Sequence, residues 1–257
     1  MKILGVIPAR MAASRFPNKP LAEIQGIPMI GHCYFRSKLC SLLDEVYVAT
    51  CDQVVVDYIV SIGGNAIMTA DTHDRASERT AEALINIEKQ LKDTHFDIIV
   101  MLQGDEPLVD PEMIREVVEP LMDGTKMVSN LMAALPAQTD HENPNNVKVV
   151  TDVSGKALYM SREPIPSRKK FNGAIPAFRQ LGLIAFTHEA LLNFIALPTT
   201  PLEIIESVDM NRFLENGIPI HMVITKFEAD SVDTPEDLAR VNKKMETDLI
   251  FNKYRKA

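Results

Sequence analysis

Four short apolar runs, each followed by a segment of helical period, fill the first half of the chain. KILGVI (2–7), EVYVAT (45–50), NAIMT (65–69) and FDIIVMLQGD (96–105) read as buried strands. Between and after them, PMIGHCYFRSKLC (28–40), DQVVVDYIVSIGG (52–64), SERTAEALINIEKQL (77–91) and PEMIREVVEPLM (111–122) read as helices. Strands that alternate with helices pair in parallel, and a parallel sheet needs helices on both faces. This pattern predicts an α/β fold before any single residue is considered.

The second half changes character. MVSNLMAAL (127–135), NVKVVTD (146–152), GKALYMSR (155–162), QLGLIAFT (180–187) and PIHMVIT (219–225) are strand-like with few helices between them, and Asp152–Gly155 reads as a hairpin turn. LEIIESVDMNRFLENG (202–217) reads as one helix with an Asn-Gly stop, and TPEDLARVNKKMETDLI (234–250) as a closing helix. The expectation is one domain over 1–257 with a mixed, mainly parallel sheet. A small antiparallel, β-rich subdomain is expected as an insertion at about 130–190, from the strand pattern.

The formal charge of −8 disfavours a nucleic-acid partner, which selects a broad basic surface. No apolar run approaches the roughly 20 residues that span a bilayer. MKILGVIPAR becomes charged too early for a secretory signal, and three cysteines do not make a disulfide framework. A cytoplasmic protein without a membrane partner is expected.

In such an acidic chain, any anionic ligand requires a local cationic site. PARMAASRFPNKPL (8–21) supplies one, with Arg10, Arg15 and Lys19 directly after the first strand. Arginine forks and a mobile lysine suit phosphate oxygens, and backbone N–H groups of the Ala12–Ser14 turn can add to them. The loop lacks the glycines and GK[ST] of a P-loop, and a solvated basic loop is the plain alternative. LQGDEP (102–107) ends a strand in Asp105 and Glu106, a place that suits Mg²⁺ as well as an ordinary turn. In SVDTPEDL (231–238), helix capping explains Thr234, Glu236 and Asp237 but leaves Asp233 over as a second metal carboxylate. On the helix at 202–217, Glu203, Glu206 and Met210 share a face while Ile204, Ile205 and Val208 can face the core. The plain reading of those acids is a solvated face.

These loops together resemble the cytidylyltransferases that activate 3-deoxy-ulosonic acids, above all the 3-deoxy-manno-octulosonate (Kdo) cytidylyltransferase family. The resemblance covers nearly the whole chain. It rests on IPAR and the KPL that follows, PMIGH (28–32), VAT (48–50), ER (78–79), QGDEP (103–107), NPNNVKVVTD (143–152), ALYMSREPIP (157–166), RQLG (179–182), PLEIIE (201–206) and VDTPEDL (232–238).

The resemblance implies a Rossmann-like nucleotidyltransferase fold and a Mg²⁺-dependent transfer of CMP from CTP to the anomeric hydroxyl of a small acidic sugar, a 3-deoxy-ulosonic acid such as Kdo or a modified Kdo. Pyrophosphate leaves, and the product serves surface polysaccharide synthesis. Arg10, Arg15, Lys19 and Asp105 are then catalytic. Pro8, Ala9, Ser14, Arg75, Ala76, Ser77, Arg79 and Gln103 join them around the nucleotide. Gln103, Gln180, Glu203, Glu206 and Met210 face the acceptor, Asp105 and Asp233 hold the metal, and the chain forms a homodimer near 157–166. The chain also departs from the family. Asp74–Ser77 (DRAS) replaces the usual Ser-Gly-Thr run, Gln180 replaces a histidine, Ile184 and Phe186 replace aromatic hydroxyls, and Asp209-Met210 replaces Glu-Gln. The first departure, with its bulky Arg75, bears on specificity for cytosine; the others predict an altered or less hydroxylated acceptor, with unmodified Kdo a poor substrate. Two alternatives stand beside this reading: the same chemistry on a nonulosonic or non-sugar acid, and a catalytically silent nucleotide-binding paralogue.

Overall fold

The computed structural model describes residues 1–12, 16–135, 137–170, 173 and 176–255. The chain divides into two compact units, residues 1–115 with 229–257, and residues 116–228. The first is built on parallel strands and the second mostly on antiparallel ones.

The first unit opens with β1 (Ile3–Ala9), the short hairpin β2 (Glu23–Ile24) and β3 (Ile27–Pro28), and α1 (Met29–Lys38). The hairpin turn needs Gln25 and Gly26, both at positive φ. Then follow β4 (Glu45–Thr50), α2 (Gln53–Ser61), β5 (Asn65–Met68), α3 (Ala76–Leu91), β6 (Ile98–Met101) and α4 (Pro111–Val118). β1 pairs in parallel with β4 on one side and β6 on the other, and β4 pairs with β5. The chain steps outward from β1 to β5 and then returns to lay β6 against the far edge of β1. Right-handed crossovers therefore place α1 and α2 on one face and α3 on the other. That reversal at β1 creates a crevice beyond the carboxyl ends of the strands, where ligands of open α/β sheets bind.

In the second unit come β7 (Val128–Ala134), α5 (Gln138–Glu142), β8 (Lys148–Thr151), β9 (Ala157–Ser161), β10 (Phe178–Thr187), α6 (His188–Ala196), α7 (Pro201–Glu206), α8 (Asn211–Glu215) and β11 (His221–Thr225). β7 runs antiparallel to β10 and parallel to β11, and β8 joins the antiparallel β9 and β10. The hairpin turn falls at Asp152–Gly155 as expected. There Asp152 Oδ1 accepts from the Ser154 and Lys156 amides, and Gly155 takes the positive φ. The pairing of β10 with β7 shifts register between Gln180 and Ile184, and the Asn130 amide donates to the carbonyls of Leu181 and Leu183 there.

α6, over residues to which the sequence pattern assigns no element, is capped by Thr187, whose hydroxyl accepts from the Ala190 amide. One expectation for this half is corrected. The single helix at 202–217 is two short ones, because Ser207 adopts a left-handed conformation (φ 51°) that ends α7 and turns the chain into α8.

The last helix, α9 (Pro235–Met245), returns to the first unit. Its apolar face, Val241 and Met245, buries with Val232 against Ile24 and Met29 of the hairpin and α1. Gln25 adds a backbone N–H to Asn242 Oδ1 at 2.8 Å. This docking brings the segment before α9 to the carboxyl end of the sheet.

Candidate active site

The loops beyond β1, β5 and β6, with the segment before α9, enclose a cavity of about 350 Å³. Pro8, Ala9, Arg10, Phe16 and Lys19 line it from the first loop, His73, Asp74, Arg75, Ala76 and Arg79 from the second, Gln103, Gly104 and Asp105 from the third, and Asp233 from the last. Ser14 and Arg15 lie outside the described residues.

Lys19 holds the centre. It opens a 3₁₀ turn (Lys19–Leu21) directly after Asn18, which takes a left-handed conformation. Its ammonium lies 2.8 Å from Asp105 Oδ2 and 3.3 Å from Asp233 Oδ1, and its side chain is only 15% exposed. Burial opposes the charge on Lys19. The two carboxylates outweigh that cost and hold its pKa above the ordinary lysine value.

Two backbone features hold these carboxylates. Gly104 passes so close to β1 that a Cβ there stands 2.7 Å from the Pro8 carbonyl oxygen, so the QGD turn requires glycine. The Asp105 carbonyl accepts from the Val232 amide at 2.9 Å and so ties the VDTPED segment to the strand end. Thr234 then caps α9: its hydroxyl accepts from the Asp237 amide, while Asp237 Oδ2 accepts from the Thr234 amide. As the sequence suggested, capping involves Thr234 and Asp237 and leaves Asp233 directed at Lys19.

The second loop supplies further cations. Arg75 precedes the first turn of α3, and Arg79 lies one turn inside it. Arg79 is buried, and its Nη1 donates to Thr69 Oγ1 at 2.5 Å and to the Ala70 carbonyl at 3.1 Å. Glu82, one turn further along α3, accepts from the Ala70 amide and pairs with His73. Burial opposes the Glu82 charge, but the Ala70 N–H and His73 prevail and lower its pKa. The structure thus adds His73, with Glu82 behind it, to the residues singled out by sequence. No short-range sequence pattern signals His73, because Glu82 meets it from nine residues further on, across the 70–75 loop. Ser77 is fully buried and does not line the cavity.

The acceptor-facing residues expected on the acidic helix are placed otherwise. Glu203 is fully buried, and its two oxygens each accept from the Arg212 guanidinium at 2.7 Å. Arg212 also lies over the Phe194 ring. Glu206 accepts from Tyr159 Oη, Ser161 Oγ and the Arg162 amide, each at 2.7 Å. Met210 is fully buried. The faces of α7 are therefore reversed from expectation: the acids point inward, while Ile204 and Ile205 are 62% and 74% exposed. Arg212 is the physical reason, since the break at Ser207 folds α8 back to set a guanidinium against Glu203. Ile184 and Phe186 are also core residues, Phe186 packing on Phe213, whereas Gln180 is half-buried in β10.

A cradle of fixed cations beside a pair of convergent carboxylates is the arrangement of a nucleotidyl-transfer site. The sequence matches the family model described as "Cytidylyltransferase" over residues 4–226. The chain belongs to the cytidylyltransferase family. This cytidylyltransferase is 42% identical over 256 residues to the 3-deoxy-manno-octulosonate cytidylyltransferase of Geobacter metallireducens, a match covering 95% of this chain and 98% of that one. It is 41% identical to the protein of the same name from Trichlorobacter lovleyi, covering 95% and 99%. Among solved structures it resembles a CMP:2-keto-3-deoxy-manno-octonic acid synthetase complexed with CTP, at 33% identity and a TM-score of 0.88, over 97% of this cytidylyltransferase and all of that chain. A glucose-1-phosphate thymidylyltransferase from Bacillus anthracis, described as putative in its own name, shares the fold at 17% identity and a TM-score of 0.67, over 97% and 99%.

Proposed function

We propose that this cytidylyltransferase transfers CMP from CTP to the anomeric hydroxyl of Kdo. The single observation that carries the reading is Lys19 set between Asp105 and Asp233 at the mouth of the crevice. The names of the relatives and the CTP complex of a similar synthetase support the two substrates. The acceptor hydroxyl bonds to the α-phosphorus of CTP as the bond from that phosphorus to the bridging oxygen breaks. Pyrophosphate leaves with that electron pair, and the hydroxyl proton passes to solvent. Arg10 and Lys19 grip the triphosphate and offset the charge that gathers on the leaving group. Arg75 and Ala76, at the start of α3, border the place for the base. Gln103 supplies a neutral donor between nucleotide and sugar.

Two hard oxygen donors that already converge on one cation fit a divalent ion, and we assign Asp105 and Asp233 as the ligands of Mg²⁺. When bound, that ion supplies charge neutralisation at the phosphates and a lower pKa for the attacking hydroxyl.

Ile184, Phe186 and Met210 are core residues whose apolar character serves packing, so Gln180 and Asp209 alone remain as motives for an altered acceptor. Among the described residues no helix is long and apolar enough to cross a membrane. We place the protein in the cytoplasm as a homodimer, with its CMP-sugar serving surface polysaccharide synthesis. Exposed Leu158, Ile204 and Ile205 support the dimer.

The test is pyrophosphate release with each of the four nucleoside triphosphates, with and without Mg²⁺, against a panel of ulosonic acids. CTP, Kdo and Mg²⁺ together are expected to give the fastest turnover. No release with any acid would instead indicate a silent paralogue, and faster release with another acid would reassign the acceptor.

A further inference from the structure

Asp52 sits at the N-cap of α2, where an aspartate ordinarily accepts a hydrogen bond from the first turn of its own helix. It does not do so here. Its Oδ2 instead accepts the Met11 amide at 2.7 Å, in the loop that carries the cations. Met11 is also held through its carbonyl, which accepts from the Asn18 amide at 3.3 Å. Met11 follows Arg10 and Asn18 precedes Lys19, so this pair of bonds fixes both ends of the cationic segment. Asp52 itself is held by Thr50, a fully buried residue of β4 whose Oγ1 accepts the Asp52 amide at 3.1 Å. The β4 register sets Thr50 beside Ala9, so the support stands immediately next to the loop it anchors.

We infer that Asp52 is a positioning residue for nucleotide binding, acting through the Met11 amide to hold Arg10 and Lys19 in their places around the triphosphate. This rests on the proposed nucleotide reading of the cavity. Forgoing a helix cap makes sense where the same oxygen does something else. Charge is not required for the task, because a neutral amide oxygen can accept the same hydrogen bond.

The test compares Asp52→Ala and Asp52→Asn with the wild type, using steady-state kinetics, CTP binding without acceptor, and hydrogen exchange at the Met11 amide. Asp52→Ala is expected to raise KM for CTP by roughly tenfold or more, the size of one lost bond to a charged acceptor. kcat should fall as well, by less than in Lys19→Met, because Arg10 and Lys19 also offset charge that develops on the leaving group. Exchange at Met11 should accelerate, and Asp52→Asn should restore both KM and protection. A merely structural cap would lower thermal stability and leave KM for CTP unchanged, which overturns the inference, as does an Asp52→Asn as damaged as Asp52→Ala. A wild type that binds no CTP overturns the nucleotide reading and this inference together. A wild type that binds CTP beside an Asp52→Ala of equal affinity overturns this inference alone.

Discussion

Lys19 Nζ stands 2.8 Å from Asp105 Oδ2. The same nitrogen reaches Asp233, so a residue from the first loop joins carboxylates from the middle and the end of the chain. The contact works in two ways. It neutralises a carboxylate pair that would otherwise repel, and it keeps a cation proposed to bind phosphate next to the proposed metal ligands.

Removing either partner therefore separates folding from turnover. Asp105→Asn should keep the wild-type circular dichroism spectrum and lose about 100-fold or more in kcat, the scale of a lost electrostatic contact at a reacting phosphate. Lys19→Met should lose a similar factor. It should also gain more thermal stability from Mg²⁺ than the wild type does, because its carboxylates lack their internal counter-ion. Melting curves with and without Mg²⁺ measure this.

Gly104→Ala should damage activity more than stability. The new Cβ meets the Pro8 carbonyl at 2.7 Å, and backbone cannot yield as a side-chain tip does. The expected displacement moves Asp105 off Lys19, with a cost to folding of about 1–3 kcal/mol. Parallel urea titrations and pyrophosphate assays separate the two effects.

Glu203 and Arg212 form a buried pair remote from solvent. Arg212→Met leaves the Glu203 carboxylate without its partner and should cost about 3–5 kcal/mol. The double variant Glu203→Leu with Arg212→Met should recover part of that loss, short of the wild type because Glu203 Oε2 also accepts from the Thr200 amide. Chemical denaturation of the three variants gives the result. An acceptor KM that rises in the double variant, with stability recovered, would return Glu203 to the substrate.

Stability should fall in acid through Glu206. Burial works against its charge, but the Arg162 amide, Tyr159 and Ser161 hold its pKa below the ordinary 4.5. A lowered carboxylate pKa stabilises the fold fully above 4.5, and the contribution is lost as pH falls through the folded-state value. Glu206→Gln should remove that pH dependence and about 2 kcal/mol at neutral pH, the scale of hydrogen bonds to a charged acceptor. Urea midpoints between neutral pH and pH 3 follow it.

Phe186→Tyr tests the reassigned core. Its ring is fully buried against Phe213. A hydroxyl there should cost about 1–3 kcal/mol and leave acceptor preference unchanged. A shift in preference toward Kdo without loss of stability would return Phe186 to the acceptor pocket.

The α/β class, the parallel strands of the first unit, the cationic loop and the Asp233 that capping does not need were all legible in the sequence. Each rests on local rules: strand length, helical period, and a capping motif that accounts for its own residues and leaves one over. α7 was not legible. Its alternation of acids and isoleucines fits either orientation, and only Arg212, brought back by the turn at Ser207, decides that the acids go in. The Asp52–Met11 bond and the His73–Glu82 pair were likewise invisible, because the bases of these loops meet only once the strands are in register. Sequence by itself determined the strand and helix order of the first unit and which chemistry gathers at its strand ends, since those depend on neighbours a few residues apart. Tertiary structure alone decided which charges face ligand and which serve as struts. A buried charge is fixed by the partner that compensates its desolvation, and that partner comes from wherever the fold returns the chain.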